Sequence, residues 1–413
     1  MNKKIESMSR TMKDSGIPWI GEIPEGWSID TIGNLYALRN EKVSDKDYPP
    51  LSVTKQGIVP QLETAAKTDD GDNRKLVKVG DFAINSRSDR RGSCGISAYD
   101  GSVSLINTVI TPREQMNPCF YNWLFHSELF ADEFYKWGHG IVDDLWTTRW
   151  QEMKRIGIVT PPLAEQHLIA TFLDKKCSEI DSLIDLLEQM IEELKAYKQS
   201  VITEAVTKGL NPNVPMKDSG IEWIGDVPEE WEVKRLKYAA ERHSQKVSDE
   251  MLPYIGLENI ESFSENFIET NNEYDVNQAQ VCSVNDVIFG KLRPYLGKAM
   301  VVKSEHCCSS EFLILRGGEV PSYLRYLMLS DWFIEIVNSS TYGTKMPRAN
   351  SDFIMNMQVA FPPAYERKAI ADYLDKKCGE IDELITIKQQ KIESLKEYKK
   401  SVIYEYVTGK REV

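Results

Sequence analysis

MKDSGIPWIGEIPEGW, residues 12–27, returns later in the chain as MKDSGIEWIGDVPEEW, residues 216–231, with 12 of 16 positions identical. A second pair of similar segments comprises residues 161–181 and 362–382, which are identical at 13 of 21 positions. Both segments begin with Pro-Pro and end with Glu-Ile-Asp. Each copy spans about 200 residues, far more than the roughly 20–50 residues of a solenoid repeat. The chain is therefore a tandem duplication, and each half contains a domain and an accessory element.

The segments between these anchors have diverged. Residues 28–160 and 232–361 are nearly equal in length but share little identity. Duplicated enzymes usually keep their active-site residues in both copies or lose the chemistry of one copy. Here the shared parts are typical of a scaffold, and the varied parts are typical of a recognition surface.

Both middle segments have a mixed α and β pattern. In the second half, residues 286–290 and 299–302 predict two short strands with a basic turn between them, residues 291–298. One aromatic-rich helix is predicted after the strands in each half, at residues 119–137 and 322–337.

A long helix is predicted to follow Pro-Pro in each half, and its coiled-coil part in the first half is predicted to run over residues 179–207. Apolar residues recur at spacings of four and three, the 3.5-residue period of a supercoiled seam. We predict that the two helices pair with each other; a helix lying on its own domain is the alternative. A lysine interrupts each seam at a matching position. The seam residues are Ile180, Ile184, Leu187, Ile191, Leu194, Lys198, Val201 and Ala205, and Ile381, Ile385, Lys388, Ile392, Leu395, Lys399, Val402 and Tyr406.

Composition describes an ordinary globular chain. Its 413 residues predict two to four domains, and 41% are hydrophobic, yet no apolar run reaches the ~18–20 residues of a membrane span. Residues 1–10 show no apolar signal region, so we expect a cytoplasmic protein without a membrane partner. The seven scattered cysteines include no C-x-x-C pair, and residues 306–308 (His-Cys-Cys) are too local to hold a metal. No metal site is expected.

The formal net charge of −13 opposes a polyanionic partner, but cations cluster locally. Residues 287–303 hold four bases and no acid, and residues 86–92 hold three arginines around one aspartate. Lys and Arg neutralise phosphates, and Arg contacts guanine edges; a solvated hairpin is the alternative interpretation. The candidate DNA-binding residues are Arg87, Arg90, Arg91, Arg149, Lys291, Arg293, Tyr295, Lys298, Lys345 and Arg348.

Motifs for catalysis are missing from the sequence. There is no G-x-x-x-x-G-K-[ST] phosphate loop, no G-x-G-x-x-G after a strand, and no H-E-x-x-H. The Asn-Pro-Pro-aromatic motif of amino-methyltransferases is also missing, and no histidine is shared by both copies of an anchor. We therefore predict that the chain has no catalytic residues and is not an enzyme.

Together these motifs resemble the DNA-specificity subunit of type I restriction-modification systems. The resemblance rests on the duplicated D-S-G-I-x-W-I-G-x-x-P-x-x-W, on K-L-R-P-Y-L-G-K, on C-S-S-E-F-L, and on the P-P-x-x-E-Q/R helix entries, and it covers residues 12–410. It implies an α+β fold with two mixed α/β target-recognition domains separated by a two-helix antiparallel coiled coil, in a pseudo-two-fold tandem duplication.

The resemblance also implies a division of the chain and a set of partners. The divisions are residues 12–160 (first target-recognition domain), 161–215 (helical spacer and linker), 216–361 (second target-recognition domain) and 362–410 (second helical spacer). Each domain would read half of a split, asymmetric site in double-stranded DNA. Partners would be two DNA-methyltransferase (modification) subunits and the restriction/translocase subunits.

S-adenosylmethionine, ATP and Mg are expected in those partners, with no cofactor in this chain. The competing class is a coiled-coil adaptor that links proteins without touching DNA. A nuclease with repeats is a third possibility, which the missing motifs disfavour.

Overall fold

The computed structural model describes residues 10–61, 71–140, 146–247, 252–270, 279–343 and 345–413. By its internal contacts the chain divides into two compact units. The first unit consists of Met1–Leu186 and Gln390–Val413, and the second consists of Leu187–Gln389.

The first half of the chain alternates short strands with short helices and ends in a long helix. In chain order its elements are β1 (Met12–Asp14), β2 (Glu22–Pro24), β3 (Ser28–Thr31), α1 (Ile32–Leu35), β4 (Tyr36–Leu38), β5 (Lys42–Val43), β6 (Leu51–Thr54), β7 (Gly57–Pro60), β8 (Arg74–Val77), β9 (Phe82–Asn85), β10 (Cys94–Ile96), β11 (Gly101–Val103), β12 (Asn107–Pro112), α2 (Pro118–His126), α3 (Glu128–Lys136), α4 (Trp150–Met153), β13 (Gly157–Thr160) and α5 (Leu163–Lys208).

The second half repeats this order. Its elements are β14 (Met216–Asp218), β15 (Asp226–Pro228), β16 (Glu232–Arg235), β17 (Glu241–His243), β18 (Tyr254–Ile255), β19 (Ala279–Cys282), β20 (Val287–Gly290), β21 (Ala299–Val301), β22 (His306–Ser309), β23 (Phe312–Arg316), α6 (Pro321–Leu329), α7 (Asp331–Ser339), α8 (Ser351–Asn356), β24 (Gln358–Phe361) and α9 (Ala364–Val407).

The four-stranded sheets of the two halves have matching strand orders. A four-stranded antiparallel sheet runs β10-β9-β12-β4 in the first half and β21-β20-β23-β17 in the second. The flanking pair β3-β13 corresponds to β16-β24, and β1-β2 corresponds to β14-β15. The duplication and the mixed α and β content predicted from the sequence are therefore confirmed.

Each unit buries its central sheet against two short helices and two ends of the long helices. In the first unit the core contains Leu173, near the start of α5, and Val407, at the end of α9. In the second unit the corresponding residues are Leu374, near the start of α9, and Val206, near the end of α5. Burying each such side chain contributes roughly 1.5–3 kcal/mol. Each domain is thus stabilised by both long helices.

The helix pairing predicted from the 3.5-residue period is confirmed, because α5 and α9 pack together as an antiparallel pair. Every predicted seam residue is buried or half-buried, whereas most of the residues between them are exposed. The alternative, a helix lying on its own domain, describes only the start of each helix, because the end of each helix joins the core of the other domain. α5 begins at Leu163, well before the start predicted for its coiled-coil part, and covers 46 residues.

The two lysines at matching seam positions, Lys198 and Lys399, have acidic partners that also match. In the second unit, the Lys198 ammonium lies 2.7 Å from a carboxylate oxygen of Asp382. In the first unit, Lys399 lies 2.7 Å from Asp181. These aspartates close the duplicated Glu-Ile-Asp segments, so the anchors and the seam lysines form one repeated arrangement.

The prediction of a single aromatic-rich helix in each half was wrong, because each half has two helices in that region. α2 and α3 are separated by Ser127, and α6 and α7 are separated by Ser330. Both serines have extended backbone angles, with ψ of 143° and 149°, so the helical hydrogen-bond ladder stops there. The Ser127 hydroxyl then accepts a hydrogen bond from Phe130 N at 3.3 Å and caps the next helix. Within the described residues no helix is long and apolar enough to cross a membrane.

Candidate nucleic-acid interface

The basic loop of the second half, residues 291–298, is held in place by main-chain hydrogen bonds at both of its ends. At its base, Gly290 N donates to Lys298 O at 2.8 Å. Arg293 N donates to Pro347 O at 2.8 Å, which ties the loop to the segment after α7. A 3₁₀ turn, Pro294–Leu296, forms its tip. The loop therefore has a defined backbone and is not a loose hairpin.

Arg293 has a left-handed backbone conformation, with φ of 51° and ψ of 60°. This conformation is uncommon for a residue other than glycine, and it costs on the order of 1–3 kcal/mol unless the surroundings impose it. The hydrogen bond from Arg293 N to Pro347 O is one such restraint, and Leu296 N adds another by donating to Arg293 O at 2.9 Å. Residues in such regions cluster at functional sites, which supports a role for Arg293.

Lys291 and Arg348 lie together around an acid. The Arg348 guanidinium pairs with Glu311, and the two segments meet in a bridge between Leu292 and Arg348. Burial lowers the pKa of Lys291, Glu311 opposes this shift, and the cations of Arg242 and Arg348 add to it. The loop base is therefore a locally positive cluster in which the cations outnumber the acid, and a phosphate would relieve their mutual repulsion.

The remaining candidates of the second half differ in how accessible they are. The Lys298 ammonium turns inward and donates to Leu257 O at 2.6 Å, and burial lowers its pKa. By contrast, the side chain of Tyr295 is 46% exposed, and Lys345 is exposed. Lys298 thus has a structural partner already, while Tyr295 and Lys345 face solvent. Their DNA contacts stay predictions.

The first half builds the same backbone frame with different side chains. Asn85 N donates to Ser93 O at 2.8 Å, as Gly290 N does to Lys298 O, and Thr148 N donates to Ser86 O at 3.0 Å, as Ala349 N does to Lys291 O. The bridges match as well, since Arg87 pairs with Thr147 where Leu292 pairs with Arg348. These bonds align six positions of the halves: Asn85 with Gly290, Ser86 with Lys291, Arg87 with Leu292, Ser93 with Lys298, Thr147 with Arg348, and Thr148 with Ala349. At all six aligned positions the residue type differs.

The candidate arginines of the first half are exposed. Arg90 lies 3.6 Å from the carboxylate of its neighbour Asp89, and Arg91 pairs with Asp132 of α3. Arg149 precedes α4 and takes the place of Asn350, the residue that caps α8. Exposed ion pairs of this kind contribute little to stability, so these arginines are free to exchange partners.

Sequence reasoning missed Arg242 and Tyr342. Arg242 lies in β17, donates to Asp352 at 2.9 Å and contributes to the field at Lys291. Tyr342 exchanges main-chain hydrogen bonds with Arg348, and its side chain is 62% exposed. No local pattern marks Arg242, because its proximity to the loop comes from sheet pairing. Tyr342 lies close to Lys345 in sequence, which was a usable signal.

The described residues contain no cluster of three or more His, Cys, Asp or Glu side chains placed to hold a metal ion. Cys282 and Cys308 are fully buried.

Replacing Arg293 is expected to weaken recognition of one half of a cognate DNA site. Arg293→Ala should cost about 1–3 kcal/mol in binding if the guanidinium reads a base edge. Arg293→Lys separates the alternatives, because lysine keeps a phosphate contact but lacks the planar fork that pairs with guanine. Fluorescence anisotropy with matched and mismatched duplexes measures both. Unchanged affinity in both variants contradicts a role for this side chain.

These features define a class: a duplicated α+β protein in which each half supplies one mixed α/β domain and one long helix. Residues 224–397 match the family model described as type I restriction modification DNA specificity domain. The chain is 26% identical to the type I restriction enzyme MjaVIII specificity subunit of Methanocaldococcus jannaschii, over 94% of this chain and 93% of that protein. It is 22% identical to the EcoDI specificity subunit of Escherichia coli, over 85% and 81% respectively.

Solved structures show the same fold. A chain in a structure described as "Structural basis underlying complex assembly and conformational transition of the type I R-M system" has a TM-score of 0.69 at 14% identity, covering 93% of this chain and 98% of that one. The HsdS subunit from Thermoanaerobacter tengcongensis has a TM-score of 0.53 at 16% identity, covering 94% and 98%. Over most of its length the chain is therefore similar to type I restriction enzyme specificity subunits, and its second half matches the DNA specificity domain of these systems.

Proposed function

We propose that this chain is the sequence-specific DNA-binding subunit of a type I restriction-modification complex. It recognises a bipartite, asymmetric site with a fixed spacer, and it directs methylation and restriction by its partner subunits. Each half supplies one target-recognition domain, within residues 12–160 and 216–361, and residues 161–215 and 362–410 supply the helical spacers.

One observation carries this proposal: the two halves share a hydrogen-bonded loop frame but fill it with different side chains. Lys291 and Arg348 are replaced by Ser86 and Thr147, while Arg87 stands where the second half has Leu292. Base readout depends on which donor or acceptor reaches each groove position. A shared frame with exchanged side chains supports two readers of different half-sites, which an asymmetric site requires.

Partners of two kinds follow from the proposal. Double-stranded DNA binds the basic loops, and two modification subunits with restriction/translocase subunits bind elsewhere on the chain. S-adenosylmethionine, ATP and Mg belong to those partners, so this chain is proposed to be non-catalytic. It is also proposed to work in the cytoplasm. The whole-chain similarity to named specificity subunits supports these assignments.

The competing function is an adaptor that links proteins through its coiled coil and makes no DNA contact. Selection of the purified complex on a pool of randomised duplexes separates the two. We expect enrichment of a split motif, with an affinity that falls steeply as salt rises, because phosphate contacts release counterions. An adaptor enriches no sequence. The chain without partners is expected to transfer no labelled methyl group from S-adenosylmethionine to DNA, and transfer by the chain alone refutes its non-catalytic role.

A further inference from the structure

Lys198 connects the coiled coil to a loop of the second domain. Its side chain is 8% exposed, and its ammonium donates to both oxygens of Asp382, at 2.8 and 2.7 Å. It also donates to Phe263 O at 2.9 Å. An ammonium has three hydrogens, so these three acceptors satisfy it fully. Phe263 lies in the segment between β18 and β19, and residues 256–268 of this segment are called here the support segment.

The support segment contacts the basic loop directly. Phe263 N donates to Gly297 O at 3.0 Å, and Lys298 Nζ donates to Leu257 O at 2.6 Å. A Cβ atom on Gly297 would lie 2.4 Å from the Phe263 ring, so only glycine permits this approach. Gly297 also has a φ of 55°, which favours glycine independently. Two residues of the support segment thus hold the end of the basic loop.

A strained backbone conformation occurs where the support segment contacts the basic loop. Phe263 has a φ of 54°, a conformation that costs an aromatic residue more than a glycine. The hydrogen bonds from Phe263 N and to Phe263 O fix both sides of this residue. Gly297 N then donates to Pro294 O at 2.9 Å, closing the turn that begins at Arg293. The contacts run without a gap from Lys198 through Phe263 and Gly297 to the turn of Arg293.

The matching lysine of the other seam makes a simpler arrangement. Lys399 donates to both oxygens of Asp181 at 2.7 Å, and its side chain is 27% exposed. Among the residues that the structure describes, it has no main-chain acceptor like Phe263 O. The two lysines therefore share the carboxylate pair but differ in the contact to a domain loop.

We propose that Lys198 is a positioning residue for DNA recognition by the second domain. Its ammonium fixes the support segment, which holds the basic loop so that Arg293 and its neighbours face DNA. This inference rests on the proposed function. The pair with Asp382 belongs to helix pairing, where a seam lysine sets the register at a cost in stability. The bond to Phe263 O leaves the helix pair and has no role in that register.

The variant Lys198→Met tests the proposal, because methionine keeps the apolar stem and removes all three hydrogen bonds. We expect the complex with its modification subunits to assemble and to unfold at an equal or higher temperature, since an apolar side chain suits the seam. Selection on a pool of randomised duplexes should show relaxed preference in one half of the motif, and this half is the one that Arg293→Ala also relaxes. In that half, discrimination between matched and mismatched base pairs should fall about tenfold. This is near the lower end of the range expected when a base contact is lost.

Two controls isolate the contact to Phe263. Lys399→Met removes the matching carboxylate pair and should leave the second domain's half of the motif intact. Asp382→Asn keeps the bond from Lys198 to Phe263 O and should retain most discrimination. Gly297→Ala, which forces the Phe263 ring away, should reproduce the loss in the same half.

Three outcomes overturn the inference: equal specificity in Lys198→Met and wild type, equal loss in both halves of the motif, or loss that appears only together with a lower unfolding temperature. A failure of the proposed function looks different, because the wild-type complex then enriches no motif at all.

Discussion

Exchanging residues 28–160 for the equivalent segment of a relative is expected to replace one half of the recognised DNA motif and to leave the other half unchanged. Affinity for the original sequence should fall by about a thousandfold or more, which is the usual margin between specific and non-specific binding. The physical reason is that this segment carries the whole first-half loop frame, whereas the second-half loop lies in residues 232–361.

The strand pairing makes these boundaries suitable for an exchange. Ser28 is paired with Thr160 across β3 and β13, and Glu232 is paired with Phe361 across β16 and β24. Each segment therefore enters and leaves the domain at neighbouring positions of one strand pair. The donor segment must keep the face that packs on the anchor, where Phe120 meets the ring of Trp27 with centroids 6.4 Å apart.

Methylation-site sequencing of cells that carry the complete exchanged system measures the result. The matched control exchanges residues 232–361 and should change the other half of the motif. Changes in both halves from a single exchange contradict separable reading by the two domains. A complex that fails to assemble is recognised by its loss of partner subunits in purification, and a second donor relative then replaces the first.

The sequence was sufficient to predict the duplication, the helix pairing and the position of the basic loops. These features are local or periodic. A coiled-coil seam can be recognised from its 3.5-residue spacing alone, and in α5 this spacing starts with Ile180 and Ile184. The loops could be found because glycine, proline and cations interrupt two short apolar runs.

What the sequence could not supply were the partners of individual side chains. Lys198 was visible as an irregularity in the seam, but its bonds to Asp382 and Phe263 join positions 184 and 65 residues away. Lys298 looked like the other loop cations, yet it turns inward to a carbonyl that a distant loop provides. The break at Ser127 depends on a backbone angle, which a helical hydrophobic pattern does not reveal. Long-range packing decides each of these cases.

Insertion of one heptad into each long helix is expected to lengthen the unspecified spacer of the DNA motif. The insertion sites lie between Leu187 and Leu194 in α5 and between Lys388 and Leu395 in α9. Seven residues preserve the seam and add ~10 Å, because an α-helix rises ~1.5 Å per residue. At ~3.4 Å per base pair this equals about three base pairs, less if the changed twist makes the new facing unfavourable.

Insertion in one helix alone should instead abolish function, because both ends of each long helix are part of a domain core and must keep their register. The two seam ion pairs show how far that register would shift. Asp181 and Lys198 are 17 positions apart in α5, and Asp382 and Lys399 are 17 positions apart in α9. A heptad in α5 alone makes these spacings unequal by ~10 Å, so straight helices cannot form both pairs. Methylation-site sequencing of the double and single insertions tests this. A functional double insertion with an unchanged spacer means that these helices do not set the distance between half-sites, and a fully active single insertion means that the paired register is not required.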